Sequence, residues 1–282
     1  MGKHLSFLLI IGIVLSLFSG CAPKNEPITV ITQNIRYCDD PDGNEITRRA
    51  KRFNQLVQTY TPDIMCIQEV TNTWSKLLDG IFSSTYTMVG EFDGGPDSTQ
   101  GNKVAILFRT ERFELIDSGT FWLSDTPQEV SKYEGSKTKR ICTWTLLKEV
   151  EIGKTFLVCN THLDTNSDEV RLAQYQVIYQ QLGEKFSQYP TIFTGDFNST
   201  PDGEVYAQLT KTFQDPHISA LTKSHLGDGT SHGYGKVTGR RIDYCFYNEK
   251  FVAEDYRVLT EDFGGYVSDH YGVMTKYTFN SK

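Results

Sequence analysis

Two periodicities divide the chain. Residues 28–32 alternate apolar and polar side chains, a period of two that predicts a strand, whereas Ile46, Ala50, Phe53, Val57 and Tyr60 recur every three or four residues and predict a helix. Arg48, Arg49, Lys51 and Arg52 are expected on the solvated side of that helix. Pro62 follows its end, and residues 63–67 form a short apolar strand. Strand, helix and strand without a hairpin turn predict neighbouring strands joined by a crossover helix. Residues 86–108 read as two strands around a glycine-rich loop at 90–101, and 112–123 as further β-structure. The polar stretch 124–139 is a long loop of the kind that shapes a site. Residues 141–150 and 155–164 predict a hairpin turning at Gly153. A second helix is marked by Ser167 as cap, Asp168 and Glu169 in its first turn, and Val170, Ala173, Val177, Ile178 and Leu182 on one face. It leads to a buried strand at 191–194. Residues 204–209 suggest a short helix, and 224–239 a glycine-rich loop that exposes His225 and His232. A strand at 241–247 and a last one just after His270 complete the pattern.

Composition narrows the class. A chain of 282 residues, 38% hydrophobic and without a low-complexity run or long linker, suits one large globular domain rather than two. The formal net charge of -7 argues against a broad basic surface for long duplex DNA and leaves room for a local basic pocket. Lys3 and His4 precede an apolar run at 5–18 and then Ser19, Gly20 and Cys21. That is the pattern of an export signal over residues 1–20, too short for a comfortable membrane span of about 20 residues. Small residues before Cys21 resemble the bacterial lipobox, which makes Cys21 the expected lipid-attachment residue; Phe18 stands where leucine is usual, and a plain signal peptide is the alternative. Residues 21–27 then read as a tether and 28–282 as the domain, a monomer exported to the bacterial cell envelope and anchored there. Cys38, Cys66, Cys142, Cys159 and Cys245 are odd in number and widely spaced, and predict neither a disulfide framework nor a zinc site.

The candidate chemistry sits at strand ends. Asp196 and Asn198 follow the strand at 191–194; if the pleat continues they share one side, an acid able to take a proton beside an amide able to donate. Both types also favour turns for local reasons. Asn34 and Glu69 end two strands that the crossover makes neighbours, and a carboxylate beside an amide suits a hard cation such as magnesium. Glu69 reads equally as an acid opening the next helix, and Asn34 as a turn former. His162 closes the second strand of the hairpin. Asp243 stands among apolar residues, which is costly without a partner, and the adjacent Asp269 and His270 supply one. A carboxylate on an imidazole holds the charged ring in place, for catalysis or as a structural salt bridge.

These residues occur in the strings Gln33-Asn34-Ile35, Gln68-Glu69, Asn160-Thr161-His162-Leu163-Asp164, Gly195-Asp196-Phe197-Asn198-Ser199-Thr200-Pro201, Arg241-Ile242-Asp243-Tyr244 and Ser268-Asp269-His270-Tyr271. Their order resembles the endonuclease/exonuclease/phosphatase superfamily, which includes DNase I-like nucleases, deadenylases, inositol polyphosphate phosphatases and neutral sphingomyelinases. The resemblance spans about residues 28–277. It implies a four-layer α/β/β/α sandwich, two mixed sheets face to face with outer helices, and magnesium- or manganese-dependent hydrolysis of a phosphoester. By the same resemblance Glu69 is the main metal ligand, with Asn34 beside it and Asp269 contributing directly or through water. Asp196 deprotonates the attacking water and Asn198 holds the phosphate or nucleophile. His270, oriented by Asp243, stabilises phosphoryl charge, and His162 contacts the phosphate or assists the leaving group. Asn102 and Arg140 are further candidates for phosphate contact, an edge salt bridge being the other reading of Arg140. The motif expected of inositol 5-phosphatases is absent. The expected function is an exported phosphodiesterase or phosphatase acting on a small molecule, a lipid headgroup or a short nucleic acid. The alternatives are a nuclease on short or single-stranded nucleic acid and a lipid-anchored binding protein without catalysis.

Overall fold

The computed structural model describes residues 25–227 and 229–281; the export signal, Cys21 and most of the tether lie outside them. Each sheet is covered on both faces, so successive residues of a strand enter different layers. In β1 (Ile28–Asn34) Val30 packs between the sheets while Ile31 faces helices. The crossover helix α1 (Ile46–Tyr60) buries Ile46, Ala50, Phe53 and Val57 and returns the chain to β2 (Ile64–Val70). The two strands are parallel, from Val30 opposite Ile64 to Asn34 opposite Gln68. Thr71 caps α2 (Asn72–Phe82) by accepting from the Trp74 N–H. Next come β3 (Tyr86–Val89) and β4 (Lys103–Arg109) around the glycine-rich loop, then the antiparallel run of β5 (Phe113–Trp122), β6 (Ile141–Glu149) and β7 (Thr155–His162). Ser167 caps α3 (Asp168–Gln188), which leads to β8 (Thr191–Asp196). The chain closes with α4 (Glu204–Leu209), α5 (Pro216–Ser219), β9 (Thr222–Ser224), β10 (Asp243–Tyr247), β11 (Phe251–Leu259) and β12 (Gly272–Phe279).

One sheet has seven strands in the order β3-β4-β2-β1-β12-β11-β9, and the other five in the order β10-β8-β7-β6-β5. Both mix parallel and antiparallel pairs. Val30, Ile64, Ile106, Phe156, Val158 and Tyr277 fill the space between them. Phe53, Leu56, Trp74 and Leu78 of α1 and α2 cover Ile31, Met65 and Ile67 on one outer face. Ile178, Leu182 and Phe186 of α3, with Val205 of α4, cover Leu157, Cys159 and Phe193 on the other. Each such side chain stabilises the fold by about 1.5–3 kcal/mol. The layers run helix, sheet, sheet, helix, the four-layer sandwich expected.

Two expectations need correction. Arg49 is not on a solvated face: it is fully buried. The loop after β1 folds over the start of α1 and turns the carbonyls of Ile35, Arg36, Cys38 and Asn44 inward, and the Arg49 guanidinium donates to all four. Only a side chain with five N–H donors meets so many acceptors at once. His232 is buried rather than exposed. Its ring stacks on Tyr271 with centroids 3.8 Å apart, and its Nδ1 accepts from the Gly235 N–H at 3.0 Å. The cysteines among the described residues are free thiols, all but Cys38 buried.

Candidate active site

Three adjacent strand ends of the smaller sheet meet in register. His162 of β7 lies opposite Asp196 of β8, and Asp243 of β10 lies opposite Asp196 on its other side. Asn34 reaches across from the larger sheet, its Nδ2 donating to Asp196 Oδ2 at 3.1 Å and to Glu69 Oε1 at 3.0 Å. His162 Nε2 is 3.5 Å from that Asp196 oxygen. His270 Nδ1 is 3.9 Å from it and donates to Asp243 Oδ2 at 2.8 Å. Asp196 is thus the centre that Asn34, His162 and His270 surround.

Local backbone features aim these groups. Gly195 has φ +150, and a Cβ there would sit 2.2 Å from the Thr161 carbonyl oxygen, so only glycine lets β8 approach β7 this closely before Asp196. A register shift in β2 falls between Ile67 and Val70, and Glu69 within it has φ +64. Its Oε2 accepts from the Tyr37 N–H at 2.8 Å. Next to it, Gln68 Nε2 donates to Asn160 Oδ1 at 2.7 Å, and Asn160 Nδ2 donates to the carbonyls of Ile67 and Ala105. This amide bridge ties the two sheets together one residue from Glu69 and two from His162. Sequence reasoning gave it no role, although two buried amides in apolar strands demand partners.

Asn198 departs from the expected arrangement. β8 ends at Asp196 and Asn198 turns out of the pleat with φ +49, so the two side chains do not project side by side. Its backbone N–H donates to Asp196 Oδ1 and its Nδ2 to the Leu163 carbonyl, each at 2.9 Å. Asp269 stands on the other flank, with Oδ2 3.9 Å from Arg36 Nε. Asn102 and Arg140 line a narrow cleft together with Glu69 and His162. Arg140 also makes the edge contact expected as its other reading, Nε to Asp164 Oδ2 at 3.5 Å. The structure therefore brings Asn34, Glu69, His162, Asp196, Asp243 and His270 into one network and sets Asn102, Arg140 and Asp269 around it.

Burial and the Asp243 charge push the Asp196 carboxyl up to about 7, against the pull of His270 and the Asn34 and Asn198 hydrogen bonds. For His270, burial opposes the charged ring, but the carboxylates of Asp243, Asp196 and Asp269 outweigh it and raise it to about 10. His162 goes the other way, held neutral by burial and by the charges of Arg140 and His270. The site at neutral pH therefore contains an imidazolium bound to a carboxylate, a neutral imidazole, and a carboxyl group balanced between its two forms.

Ligand atoms of Asp196, Asp243 and His270 lie within 4.8 Å of one another, as a metal cluster would. His270 Nδ1 is nonetheless engaged by Asp243 at 2.8 Å, and the surrounding carboxylates favour its charged ring, which suits an ion-pair network there better than a cation. Glu69 fits a hard divalent cation better. It has no cationic partner among the described residues, each oxygen takes a single N–H, and the Asn34 amide adjoins it. Oxygen donors of this kind are what magnesium and manganese take.

Comparison with known proteins gives a coherent result. The model of the Endonuclease/Exonuclease/phosphatase family matches residues 31–270. Nocturnin of Rattus norvegicus is 26% identical over 310 residues, covering 94% of this chain and 69% of that protein. The RNA exonuclease NGL1 of Saccharomyces cerevisiae is 24% identical over 306 residues, covering 84% of this chain and 77% of that protein. Among solved structures, a mannosyl-6-phosphatase of Bacteroides thetaiotaomicron superposes with a TM-score of 0.80 at 26% identity, covering 89% of this chain and all of the other.

Proposed function

From the premise that the chain belongs to the endonuclease/exonuclease/phosphatase family, a hydrolytic family, we propose that it is a divalent-metal-dependent phosphoester hydrolase, acting as a phosphodiesterase or phosphatase. The observation that carries this reading is a buried Asp196 shared by Asn34, His162 and His270 and pushed up to about 7, where a base works best near neutral pH.

Glu69 and Asn34, with Asp269 contributing directly or through water, would hold a magnesium or manganese ion, which would supply Lewis-acid neutralisation of the phosphoryl oxygens. Asp196 takes the proton of the attacking water as the new P–O bond forms and the ester bond breaks. Asn198 holds the Asp196 carboxylate through its backbone N–H. The His270 imidazolium, fixed by Asp243, stabilises the charge gathering on the phosphoryl oxygens. Neutral His162 offers a hydrogen bond to the phosphate beside the leaving group, and Asn102 and Arg140 contact the substrate from the cleft wall.

The test is hydrolysis of bis-p-nitrophenyl phosphate and p-nitrophenyl phosphate by the full chain with magnesium, manganese or EDTA. Turnover that needs metal and is lost in Asp196→Asn is the expected result. An intact panel of esters, nucleotides and phospholipids, together with no heat of metal binding, would give the lead to a binding protein without catalysis. A second reading, a nuclease on short single strands, draws on the similarity to the RNA exonuclease of yeast, and a single-stranded oligoribonucleotide added to the panel addresses it. We further propose that the enzyme acts at the bacterial cell envelope, anchored by lipid on Cys21. Incorporation of labelled palmitate that survives in Cys21→Ser would overturn that placement.

A further inference from the structure

Alternation along β1 sends Val30 and Asn34 towards the other sheet and Ile31 and Gln33 towards the helices. Gln33 is 1% exposed and so stands behind the site, with no path to a substrate. Its Nε2 donates to the Asn34 carbonyl at 2.8 Å and to the His270 carbonyl at 2.9 Å. The ladder between β1 and β12 ends where Thr32 lies opposite Val273, and His270 falls outside it. The Gln33 amide therefore continues, with a side chain, a connection that the two backbones have stopped making. On the other side of the same turn, Ser231 bridges His270 and the Tyr271 N–H donates to the Thr230 carbonyl at 2.8 Å. Gly272 leaves room for the amide: a Cβ there would meet Gln33 Oε1 at 2.7 Å.

For the fold alone this is a poor use of a core position. Ile31, Leu259, Val267 and Met274 make the layer apolar, and Gln33 Oε1 is buried in it without a donor among the described residues. An orphaned acceptor costs stability, which an apolar side chain of the same length would avoid. What the amide supplies is two N–H groups on one nitrogen, in a fixed plane, aimed at two carbonyls. One carbonyl belongs to the residue whose side chain joins Glu69 to Asp196, and the other to the residue whose ring Asp243 holds. Catalytic groups must be kept within about 0.5 Å of productive geometry by neighbours that do not themselves react.

We propose that Gln33 is a positioning residue, which ties the main chains of Asn34 and His270 together and so sets the spacing between the cation-binding half of the site and its imidazolium half. The inference rests on the phosphoester-hydrolase reading above. Gln33 touches neither substrate nor attacking water and acts through the two residues it holds, chiefly through His270, whose turn lies beyond the strand ladder.

The experiment is a double-mutant cycle on the full chain, with magnesium or manganese and the p-nitrophenyl esters as substrates. Gln33→Met keeps the length of the side chain and removes both N–H groups and the orphaned oxygen; it is measured alone and together with His270→Ala. Alone it should lower kcat by about tenfold with KM nearly unchanged, while Tm stays the same or rises. Added to His270→Ala, it should lower kcat by no more than about twofold, because the group it positions is already gone. An amide kept only for the fold would instead lower Tm, and would lower kcat by the same factor in both backgrounds. Gly272→Ala leaves Gln33 in place but crowds its amide, and should lower kcat in the same way by a smaller factor; it carries the test if the chain does not fold with methionine at position 33. Unchanged kcat in the variant tested, or equal losses with and without His270, would overturn the proposal. If the wild type turns over no ester, the hydrolase reading has failed instead, and proton NMR of the metal-free protein decides this one. The His270 Nδ1 proton held by Asp243, assigned by its loss in His270→Ala, should shift or broaden in Gln33→Met, and a resonance identical to that of the wild type would overturn the positioning role.

Discussion

Among individual side chains, Asp196 is the point where the network closes, because Asn34, His162, His270 and the Asn198 backbone all reach its two oxygens. Replacing Asp196 with asparagine removes the proton acceptor while keeping the shape, and kcat is expected to fall by roughly two to four orders of magnitude with little change in KM. The pH profile follows from the two shifted groups. The active form needs Asp196 without its proton and His270 with one, so kcat/KM should rise through about 7 and fall through about 10. Asp243→Asn removes the strongest support for the His270 charge and should move the falling limb to lower pH; a limb that stays in place would detach His270 from it. The stability effect has the same sign. His270 is raised above its unfolded value, so its pairing stabilises the fold fully below the ordinary histidine range, and this contribution is lost as pH rises through about 10. The Asp243–His270 pair was legible in the sequence because an acid in an apolar strand demands a partner. The Asn198 geometry was not, since continuing the pleat gave no sign that β8 stops at Asp196.

The elements that deliver the site differ in how openly the sequence announces them. β1, α1 and β2 follow from clean periodicities, and their parallel register carries Asn34 to Glu69. β11 was missed because a bulge between Ala253 and Asp255 shifts its alternation by one residue. α2 was missed because Thr71 caps it without any acid in its first turn, and a glycine interrupts it. The burial of Arg49 escaped notice for a related reason: a basic run is ordinarily solvated, and only the folded loop shows the four carbonyls that need it. Arg49→Met keeps the length of the side chain and leaves those carbonyls without donors, and should cost about 3–5 kcal/mol in urea unfolding. Gly195 supports the opposite kind of test. An added Cβ meets backbone at 2.2 Å, which cannot move without separating β8 from β7. Gly195→Ala should therefore destabilise by at least about 1–3 kcal/mol and also lower activity, since Asp196 is the next residue. A variant of normal activity would show that the strand gap is not what places the base.

At the scale of the whole molecule, the active site exists only because two sheets pack face to face and bring their strand ends together at one end of the sandwich. Glu69 and Asn34 come from one sheet and His162, Asp196 and Asp243 from the other, with the Gln68–Asn160 bridge fixing their relation. This explains why a set of strand ends scattered from Asn34 to His270 reads as one site once the layers are in place. A cation bound by Glu69 and Asn34 would act on the larger sheet next to the Asn34 contact with Asp196, and so tie metal binding to the stability of the sandwich as a whole. Any ligand that binds the folded state alone stabilises it, by about 2.7 kcal/mol at a concentration one hundred times its Kd. Adding magnesium or manganese to the metal-free protein should therefore raise Tm with a concentration dependence that yields Kd, and EDTA should reverse it. Glu69→Gln removes the charge and keeps an acceptor for only one of the Asn34 and Tyr37 N–H groups, so it should abolish the rise in Tm while lowering the metal-free stability by about 1 kcal/mol, the worth of one lost hydrogen bond. If Asp243→Asn abolished the rise and Glu69→Gln did not, the cation would sit in the Asp196–Asp243–His270 cluster, and the division between an ion-pair network and a metal seat would be reversed.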